Sequence, residues 1–147
     1  MIESFKGEYS WLSNFQFFEK PLVYQGISYE TSEHFYQAMK TKDPTLRKQI
    51  AAHPLKGLKK FANTIDLRED WVTLKIEVML YTTRYKYSQH NPTLRSRLIS
   101  TGNEEIQEGN WWGDKFWGVC LKTGEGMNRL GHTIMLVRDE IGGKSNG

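Results

Sequence analysis

The sequence predicts an α+β fold that is predominantly helical, with a small β component, in a single domain over residues 1–141. Apolar residues recur every three or four positions over several stretches, which is typical of helices packed on a core. Strand-like alternation is confined to one segment near the N-terminus. A chain of 147 residues is also long enough to bury most of its apolar surface without disulfides.

The first predicted elements are a hairpin and three helices. The segment PLVYQGISY indicates two short strands around Gln25-Gly26, because glycine adopts the positive φ that a two-residue hairpin turn requires. The segment TSEHFYQAMK predicts a helix with Thr31 or Ser32 as its N-cap. Two short amphipathic helices follow, the first begun by Asp43-Pro44 and the second restarted at His53-Pro54.

The strongest periodicity comes after these helices and predicts a long central helix. Its apolar residues are Trp71, Leu74, Val78, Tyr81 and Tyr85. Asn91-Pro92 begins another helix, and Gly102 is its natural stop. The last helix has one apolar side, formed by Leu130, Ile134, Val137 and Ile141. Residues 142–147 are predicted to be a disordered tail.

Composition excludes several classes of protein. The net charge of +3 and the pI of about 8.9 favour anionic ligands but do not indicate a DNA-coating surface. Because Cys120 is the single cysteine and no signal peptide or membrane-spanning run is present, we expect a cytoplasmic protein that does not bind membranes. The four histidines lack metal-ligand spacing, so no structural zinc and no other metal is predicted.

The segment GNWWGDKFWG, residues 109–118, places three of the five tryptophans between glycines. We call it the tryptophan loop, because it follows neither the helical nor the strand period. One interpretation is an irregular segment pinned to the core by its rings. The other is a surface on which a nucleobase stacks, with Asp114 reading a polar edge of the base.

On the helix that begins near Thr31, Glu33, Gln37 and Lys40 share one face. This polar stripe is either a solvated surface or the wall of a cleft. In a cleft, a glutamate activates water or protonates a leaving base, and a desolvated lysine attacks an electrophilic sugar carbon.

Two further segments carry polar groups. In GEGMNRLG, the third glycine of a dinucleotide-binding fingerprint is replaced by Arg129, so a Rossmann fold is rejected. The segment indicates either a phosphate site at the helix start near Asn128 and Arg129 or plain capping of that helix. In WLSNF, Ser13 and Asn14 either cap a turn or bind a ligand.

Five segments in order, WLSNF, TSEHFYQAMK, LREDWVTLKIEVM, EGNWWGDKFWG and GMNRLGHTIMLVR, resemble the NADAR family, also called YbiA-like, over nearly the whole chain. The resemblance implies a helix-rich domain with a little sheet. It also implies an N-glycosidase that needs no metal or other cofactor and that cleaves the bond between the anomeric carbon of a ribose and a heterocycle nitrogen.

The resemblance also assigns the site. By this resemblance, Glu33 matches the acid/base of the family. Lys40 matches a lysine that forms a transient Schiff base with the opened sugar. Asp114 is expected to be a third catalytic residue. The residues expected to bind substrate are Ser13, Asn14, His34, Gln37, Trp111, Trp112, Gly113, Trp117, Asn128, Arg129 and Gly131. We expect Glu33 and Lys40 to serve the same substrate as the tryptophan loop.

The resemblance leaves two substrates open. Some members remove ADP-ribose from modified guanine in DNA or RNA and so oppose an ADP-ribosyltransferase toxin, whereas others hydrolyse ribosyl-phosphate intermediates of riboflavin biosynthesis. Here Phe116-Trp117-Gly118 and VCLKT follow the Trp-Gly-Asp element, where riboflavin-type members run directly into a glycine-rich stretch. This departure favours ADP-ribose removal. A third alternative is a non-catalytic module that binds ADP-ribose or a nucleotide.

Overall fold

A computed structural model describes residues 1–142; of the predicted tail only Gly142, which ends the last helix, is described, and residues 143–147 lie outside the described residues. The chain is mostly helical with short strands, as predicted. Its contacts divide it into two compact units. We call residues 1–13 with 92–142 the composite unit and residues 14–91 the middle unit. The single domain over residues 1–141 stays a prediction.

The middle unit begins with the predicted hairpin. Strands β1 (Phe17–Tyr24) and β2 (Ile27–Thr31) pair antiparallel. At the turn, Gln25 and Gly26 have φ values of 49° and 81°. Positive φ at both central residues defines the type I′ turn, whose twist matches that of the strands it joins.

Four helices complete the middle unit: α1 (Ser32–Ala38), α2 (Pro44–Ala52), α3 (Leu58–Ala62) and α4 (Trp71–Lys86). Helix α1 packs against β2 and the other three helices, and all its residues are buried. Its N-cap is Thr31, whose hydroxyl accepts a hydrogen bond of 3.0 Å from the backbone N–H of His34. Asp43 caps α2 in the same way, as the sequence predicted.

Two predictions for this unit are wrong in detail. Helix α3 does not restart at His53-Pro54 but begins at Leu58, after Gly57 turns the chain with a φ of 80°. The predicted apolar face of α4 is also out of phase, because Tyr81 is 48% exposed. The buried face instead includes the polar residues Thr82, Thr83 and Lys86.

The composite unit has a 3-10 helix (Gly7–Leu12), helices α5 (Pro92–Ser100) and α6 (Arg129–Ile141), and a parallel pair of two-residue strands, β3 (Gly109–Asn110) and β4 (Val119–Cys120). The predicted inward residues of the two α-helices are buried, except that Ile141 is half-buried: Leu94, Leu98, Leu130, Ile134 and Val137. Within residues 1–142, no helix has the length and apolar character needed to cross a membrane.

Candidate active site

Glu33 occupies the first turn of α1 and is only 6% exposed. The cap at Thr31 fixes the start of this helix, and the backbone N–H of Glu33 donates to the carbonyl oxygen of Asn14 at 3.1 Å. A carboxylate is favoured in the first turn of a helix, where the backbone N–H groups carry partial positive charge. The interpretation of this face as a solvated surface is therefore wrong.

Gln37 lies one turn after Glu33 and holds its carboxylate. The amide Nε2 donates a hydrogen bond of 2.7 Å to Glu33 Oε2, and Gln37 itself is 2% exposed. A carboxylate only accepts hydrogen bonds, so this contact fixes which end of the amide faces it. The other end, Gln37 Oε1, is buried and has no hydrogen-bond partner in the described chain.

Lys40 does not lie on the same helix as Glu33, contrary to the prediction. Helix α1 ends at Ala38, with Met39 as C-cap, and Lys40 follows in the turn. The carbonyl oxygen of Lys40 accepts a hydrogen bond of 2.8 Å from the backbone N–H of Arg68. Its ammonium lies 5.9 Å from the centre of the Tyr36 ring. Lys40 is thus held beside α1 by a backbone hydrogen bond from Arg68, which lies outside the helix, and by the ring of Tyr36, which lies within it.

The surroundings of Lys40 lower its pKa. Burial is the largest cause, because desolvation disfavours the charged ammonium. The carboxylate of Glu33 opposes the shift, whereas the positive charges of Lys59 and Lys75 add to it. Lys40 therefore shares an electrostatic environment with Glu33 and is closer to its neutral, nucleophilic form than an exposed lysine. We call Asn14, Glu33, Gln37 and Lys40 the Glu33 cluster.

Three of the residues predicted to bind substrate, Ser13, Asn14 and His34, make hydrogen bonds within their own units. The side-chain amide of Asn14 donates to the sulfur of Met79 at 3.5 Å. The backbone N–H of Ser13, in the composite unit, closes a turn onto Ser10 at 3.1 Å. Both ring nitrogens of His34 are engaged inside the middle unit, one with the hydroxyl of Thr31 and one with the carbonyl of His53, each at 2.7 Å. This arrangement favours a structural role for His34, and substrate binding by His34 stays a prediction.

In the composite unit, the tryptophan loop presents rings to solvent. Trp111 is 53% exposed and Trp112 is 66% exposed, while Trp117 is half-buried and packs edge-on against Phe116. Gly113 makes the turn after the two exposed rings with a φ of 85°. The first two rings are not core anchors, which favours the stacking interpretation of this loop.

Asp114 and Asn110 organise the tryptophan loop from inside. Asp114 Oδ1 accepts hydrogen bonds from the backbone N–H groups of Phe116 and Trp117 at 3.1 and 3.0 Å. The fully buried amide of Asn110 bonds both the N–H and the carbonyl of Asp114, at 3.0 and 2.9 Å. The loop is therefore held in one shape. A catalytic role for Asp114 stays a prediction.

We predict that Trp112→Ala separates binding from stability. Because the ring is mostly exposed, the free energy of unfolding should change by no more than about 0.5 kcal/mol. Loss of a stacked base should weaken ligand binding by roughly 5- to 150-fold, which corresponds to about 1–3 kcal/mol. The control is Trp71→Ala, since Trp71 is 5% exposed and its removal should cost about 3–5 kcal/mol of stability. Unchanged affinity in Trp112→Ala would argue against base stacking.

The first backbone N–H groups of α6 already have partners in the tryptophan loop, which disfavours phosphate binding there. The N–H groups of Arg129 and Leu130 donate to the carbonyls of Phe116 and Trp117, at 3.2 and 2.9 Å. Helix N-termini bind anions through such N–H groups, and these two already have partners. The guanidinium of Arg129 lies over the Phe116 ring, 5.4 Å from its centre.

Asn128 and Gly131 hold the segment before α6. Asn128 Oδ1 accepts from the N–H of Glu108, and Nδ2 donates to the carbonyl of Ile106, both at 2.9 Å. A Cβ on Gly131 would overlap that carbonyl and the Asn128 amide, so only glycine fits. Neither Asn128 side-chain bond caps the helix, although Asn128 occupies the N-cap position with a φ of 50°.

We expect Asn128→Ala to destabilise the protein by about 1–3 kcal/mol, because it removes two hydrogen bonds to backbone groups. Alanine is also less suited than asparagine to a positive φ. The measurement is urea unfolding followed by circular dichroism. Asn103→Ala, at an exposed position of the same unit, is the control and should be neutral.

Sequence reasoning missed two residues of the middle unit. Arg68 precedes α4, contacts Lys40 through its backbone, and pairs with Asp70 at 2.7 Å. Lys86 is 2% exposed, and burial lowers its pKa to about 7. Lys86 shares the buried face of α4 with Val78 and Thr82, but no apolar period in the sequence marks a lysine at this position as buried.

The chain belongs to the NADAR domain family, whose model matches residues 3–142. The N-glycosidase YbiA of Escherichia coli is 31% identical over 137 residues, which cover 91% of this chain and 82% of that protein. An N-glycosidase of Nostoc punctiforme is 35% identical over 124 residues, covering 80% of this chain and 77% of the relative.

A longer relative and a solved structure complete the comparison. A riboflavin biosynthesis protein of Vibrio vulnificus is 32% identical over 130 residues, and the match spans 85% of this chain but only 34% of that protein. The NMR structure of E. coli YbiA matches with a TM-score of 0.81 and 28% identity, covering 99% of this chain and 89% of that one. The predicted family and fold class are thereby confirmed.

Proposed function

We propose that this protein is an N-glycosidase that removes ADP-ribose from ADP-ribosylated guanine in nucleic acid. One observation carries the proposal: the buried carboxylate of Glu33 is held by Gln37 and acts electrostatically on the amine of Lys40, whose pKa is lowered. Relatives that match most of this chain are named N-glycosidases, which supports this reaction class. The reaction needs a general acid/base beside a sugar that becomes positively charged in the transition state.

In the proposed reaction, a water oxygen bonds to C1′ of the ribose while the bond from C1′ to the base nitrogen breaks. The electron pair of that bond leaves with the base. Glu33 accepts a proton from the water and returns it to the departing nitrogen, so the carboxylate is regenerated. In the transition state C1′ has oxocarbenium character, and a carboxylate shielded from water stabilises this positive charge.

Lys40 offers a covalent route to the same products. When the sugar ring opens, C1′ is joined to the base nitrogen as an imine, to which the neutral amine of Lys40 adds. The base nitrogen then leaves with a proton, and water hydrolyses the remaining imine to release the sugar and the amine. Only the neutral amine is nucleophilic, so the lowered pKa of Lys40 supports this role.

The exposed rings of the tryptophan loop supply the proposed recognition of the base. Every nucleobase has a flat face that stacks on an indole, and the hydrogen bonds of Asp114 and Asn110 prepare the loop for it without a ligand. The second aromatic unit of this loop, Phe116 and Trp117, is the departure from riboflavin-type members that supports the choice of ADP-ribosylated guanine. That the Glu33 cluster and the loop serve the same substrate is part of the proposal.

The decisive experiment incubates the purified protein with DNA that carries ADP-ribosylated guanine and measures free ADP-ribose by mass spectrometry. Release of ADP-ribose with restoration of guanine supports the proposal. No release under conditions where the protein remains folded would contradict it. Unmodified DNA of the same sequence is the control for nuclease contamination.

A second candidate substrate is a ribosyl-phosphate intermediate of riboflavin biosynthesis. The observation in its favour is the match to the Vibrio vulnificus riboflavin biosynthesis protein, although this chain spans only 34% of that relative. A parallel reaction with the diaminopyrimidinone ribosyl phosphate distinguishes the two. If only this compound were cleaved, into base and ribose phosphate, the second substrate would replace the first.

A further inference from the structure

We propose that a groove along α4 binds a base of the nucleic-acid substrate other than the modified guanine. The groove lies entirely within the middle unit and has a volume of about 540 Å³. We call it the aromatic groove, because its lining includes the rings of Tyr81, Tyr85 and His90 beside the aliphatic side chain of Leu80. The inference rests on the proposed function, since it extends the recognition of nucleic acid beyond the base that is released.

The ring of Tyr81 is fixed on one side and open on the other. It stacks on Phe35 of α1 with ring centres 5.4 Å apart, and it meets Tyr24 of β1 edge-on at 5.7 Å. The ring centres of Tyr24 and Phe35 are themselves 5.4 Å apart. The three centres therefore form a nearly equilateral triangle, and both partners lie toward the same side of Tyr81. Because Tyr81 is nevertheless 48% exposed, its other side is open to the groove that it lines.

The second part of the groove is a stacked pair of rings. His90 lies on the Tyr85 ring, with ring centres 5.4 Å apart and ring planes inclined by 23°. Tyr85 is held by edge-on packing against Phe18 at 5.0 Å, and its hydroxyl donates toward the carbonyl oxygen of Pro21 at 2.9 Å. His90 is exposed and covers Tyr85 with one face, so its other face is available to a ligand. These rings are positioned before a ligand arrives, which lowers the entropic cost of binding.

The chemistry of the groove fits a flat, uncharged ligand. One charge of each sign, Glu77 and Arg84, stands on its lining, so the groove favours neither a free phosphate nor a cation. Its volume lies in the range of about 300–1,000 Å³ that is typical of small-ligand sites. A protein partner would need about 20–30 residues on each side, whereas seven residues line this groove. Aromatic rings stack on the face of any nucleobase, so one base of a single strand is the ligand that we assign.

A larger groove lies in the composite unit and is less suited to nucleic acid. Its volume is about 1000 Å³, and it is lined by the 3-10 helix and α5. The charged residues of its lining are Glu8, Arg97 and Glu104, so carboxylates outnumber the guanidinium. The phosphates of a strand would meet a net negative charge there. Among residues 1–142, the aromatic groove is therefore the better site for a base.

The test is equilibrium binding of short single strands of DNA to the variant Tyr81→Leu/His90→Leu, measured by fluorescence anisotropy at low salt. Leucine keeps an apolar side chain but has no flat ring, so we expect the affinity to fall by about 5- to 150-fold, the range of one stacked base. The matched control is Tyr81→Phe/His90→Phe, which keeps both rings and should bind within about twofold of wild type.

Circular dichroism and thermal unfolding check that each variant is folded. If the double leucine variant unfolds, His90→Leu alone provides the test, because His90 is exposed. The same comparison in a Trp112→Ala background removes the contribution of the tryptophan loop.

The probes are an unmodified strand and an abasic strand of the same length, whose sugar–phosphate backbone is intact. The leucine variant should lose affinity for the unmodified strand only. The proposal would be overturned if this variant bound the unmodified strand as tightly as wild type, or if both strands lost affinity equally. It would also be overturned if the phenylalanine variant lost as much affinity as the leucine variant, or if wild type bound neither strand.

Binding of these probes needs no turnover, so the test is independent of whether the protein cleaves any glycosidic bond. Release of ADP-ribose by a protein that binds neither strand would contradict the aromatic groove and leave the proposed function standing. Binding through the groove without any release of ADP-ribose would do the reverse.

Discussion

Glu33→Gln should reduce the rate of base release by about 100- to 10,000-fold, the range that a positioned acid or base contributes. The amide has nearly the same shape as the carboxylate, but it neither accepts the proton of water nor carries a charge that stabilises a cationic sugar. Its carbonyl oxygen can still accept the hydrogen bond that Gln37 donates to Glu33. The fold should therefore survive, which circular dichroism and thermal unfolding check.

The matched control for this variant is Glu30→Gln, an exposed glutamate on β2. It loses the same charge three residues earlier and should retain wild-type kcat and KM. If Glu33→Gln also kept wild-type kcat, Glu33 would not be the acid/base.

The same variant distinguishes an enzyme from a module that only binds. In an enzyme, Glu33→Gln slows turnover strongly but leaves substrate binding intact, so the enzyme–substrate complex should be detectable by calorimetry. In a non-catalytic module, wild type and variant would bind ADP-ribose alike and neither would release a base. The second outcome would support the non-catalytic alternative and exclude the proposed reaction.

The elements that the sequence predicted correctly have strong local signals. The hairpin has Gln25-Gly26 at its turn, α1 has Thr31 as its cap, and α2 begins at Asp43-Pro44. Each signal acts through neighbouring backbone atoms, so no tertiary information is needed. The start of α3 was predicted at the wrong place because a proline such as Pro54 is typical of the first position of a helix. The helix in fact begins after Gly57, which is its N-cap.

The phase of α4 and the end of α1 depend on packing and were not predictable. Thr82 and Lys86 are buried although neither is apolar, so a count of apolar residues placed Tyr81 in the core instead. Helix α1 ends at Ala38 with no glycine or proline at its end, and the turn that follows accepts a backbone hydrogen bond from Arg68. Position along a helix was therefore a poor guide to where Lys40 lies.

The candidate site, like the fold, was predicted from the sequence only in part. Residue type and spacing found Glu33 and Gln37, which hydrogen-bond one turn apart, and found the exposed rings of the tryptophan loop. They did not show that Asn128 donates a hydrogen bond to the carbonyl of Ile106, or that Gly131 packs closely against that carbonyl. They also gave no reason to expect that the charges of Lys59 and Lys75, which are distant in sequence, lower the pKa of Lys40.

Replacing Lys40 by Met should reduce turnover by roughly 100-fold or more if its amine forms a bond to the sugar. Arginine at this position keeps the positive charge but forms no imine, so Lys40→Arg should be similarly impaired. The exposed neighbour Lys42 provides the control, because Lys42→Met removes an ammonium two residues away and should leave kcat unchanged. An activity of Lys40→Arg close to wild type would instead assign Lys40 a purely electrostatic role.

The covalent step has its own readout. Cyanoborohydride transfers hydride to an imine, which takes up a proton and becomes a stable secondary amine, so wild type should gain the mass of the sugar moiety at Lys40. The rate should rise with pH as Lys40 loses its proton. This rising limb of the pH–rate profile should lie below the pH range in which an exposed lysine titrates. The reason is that burial lowers the pKa of Lys40, and the positive charges of Lys59 and Lys75 lower it further. Lys59→Gln/Lys75→Gln should move that limb to higher pH, since removing two positive charges raises the pKa of Lys40. A trapped sugar on another lysine, or a limb that the double variant leaves in place, would contradict this assignment.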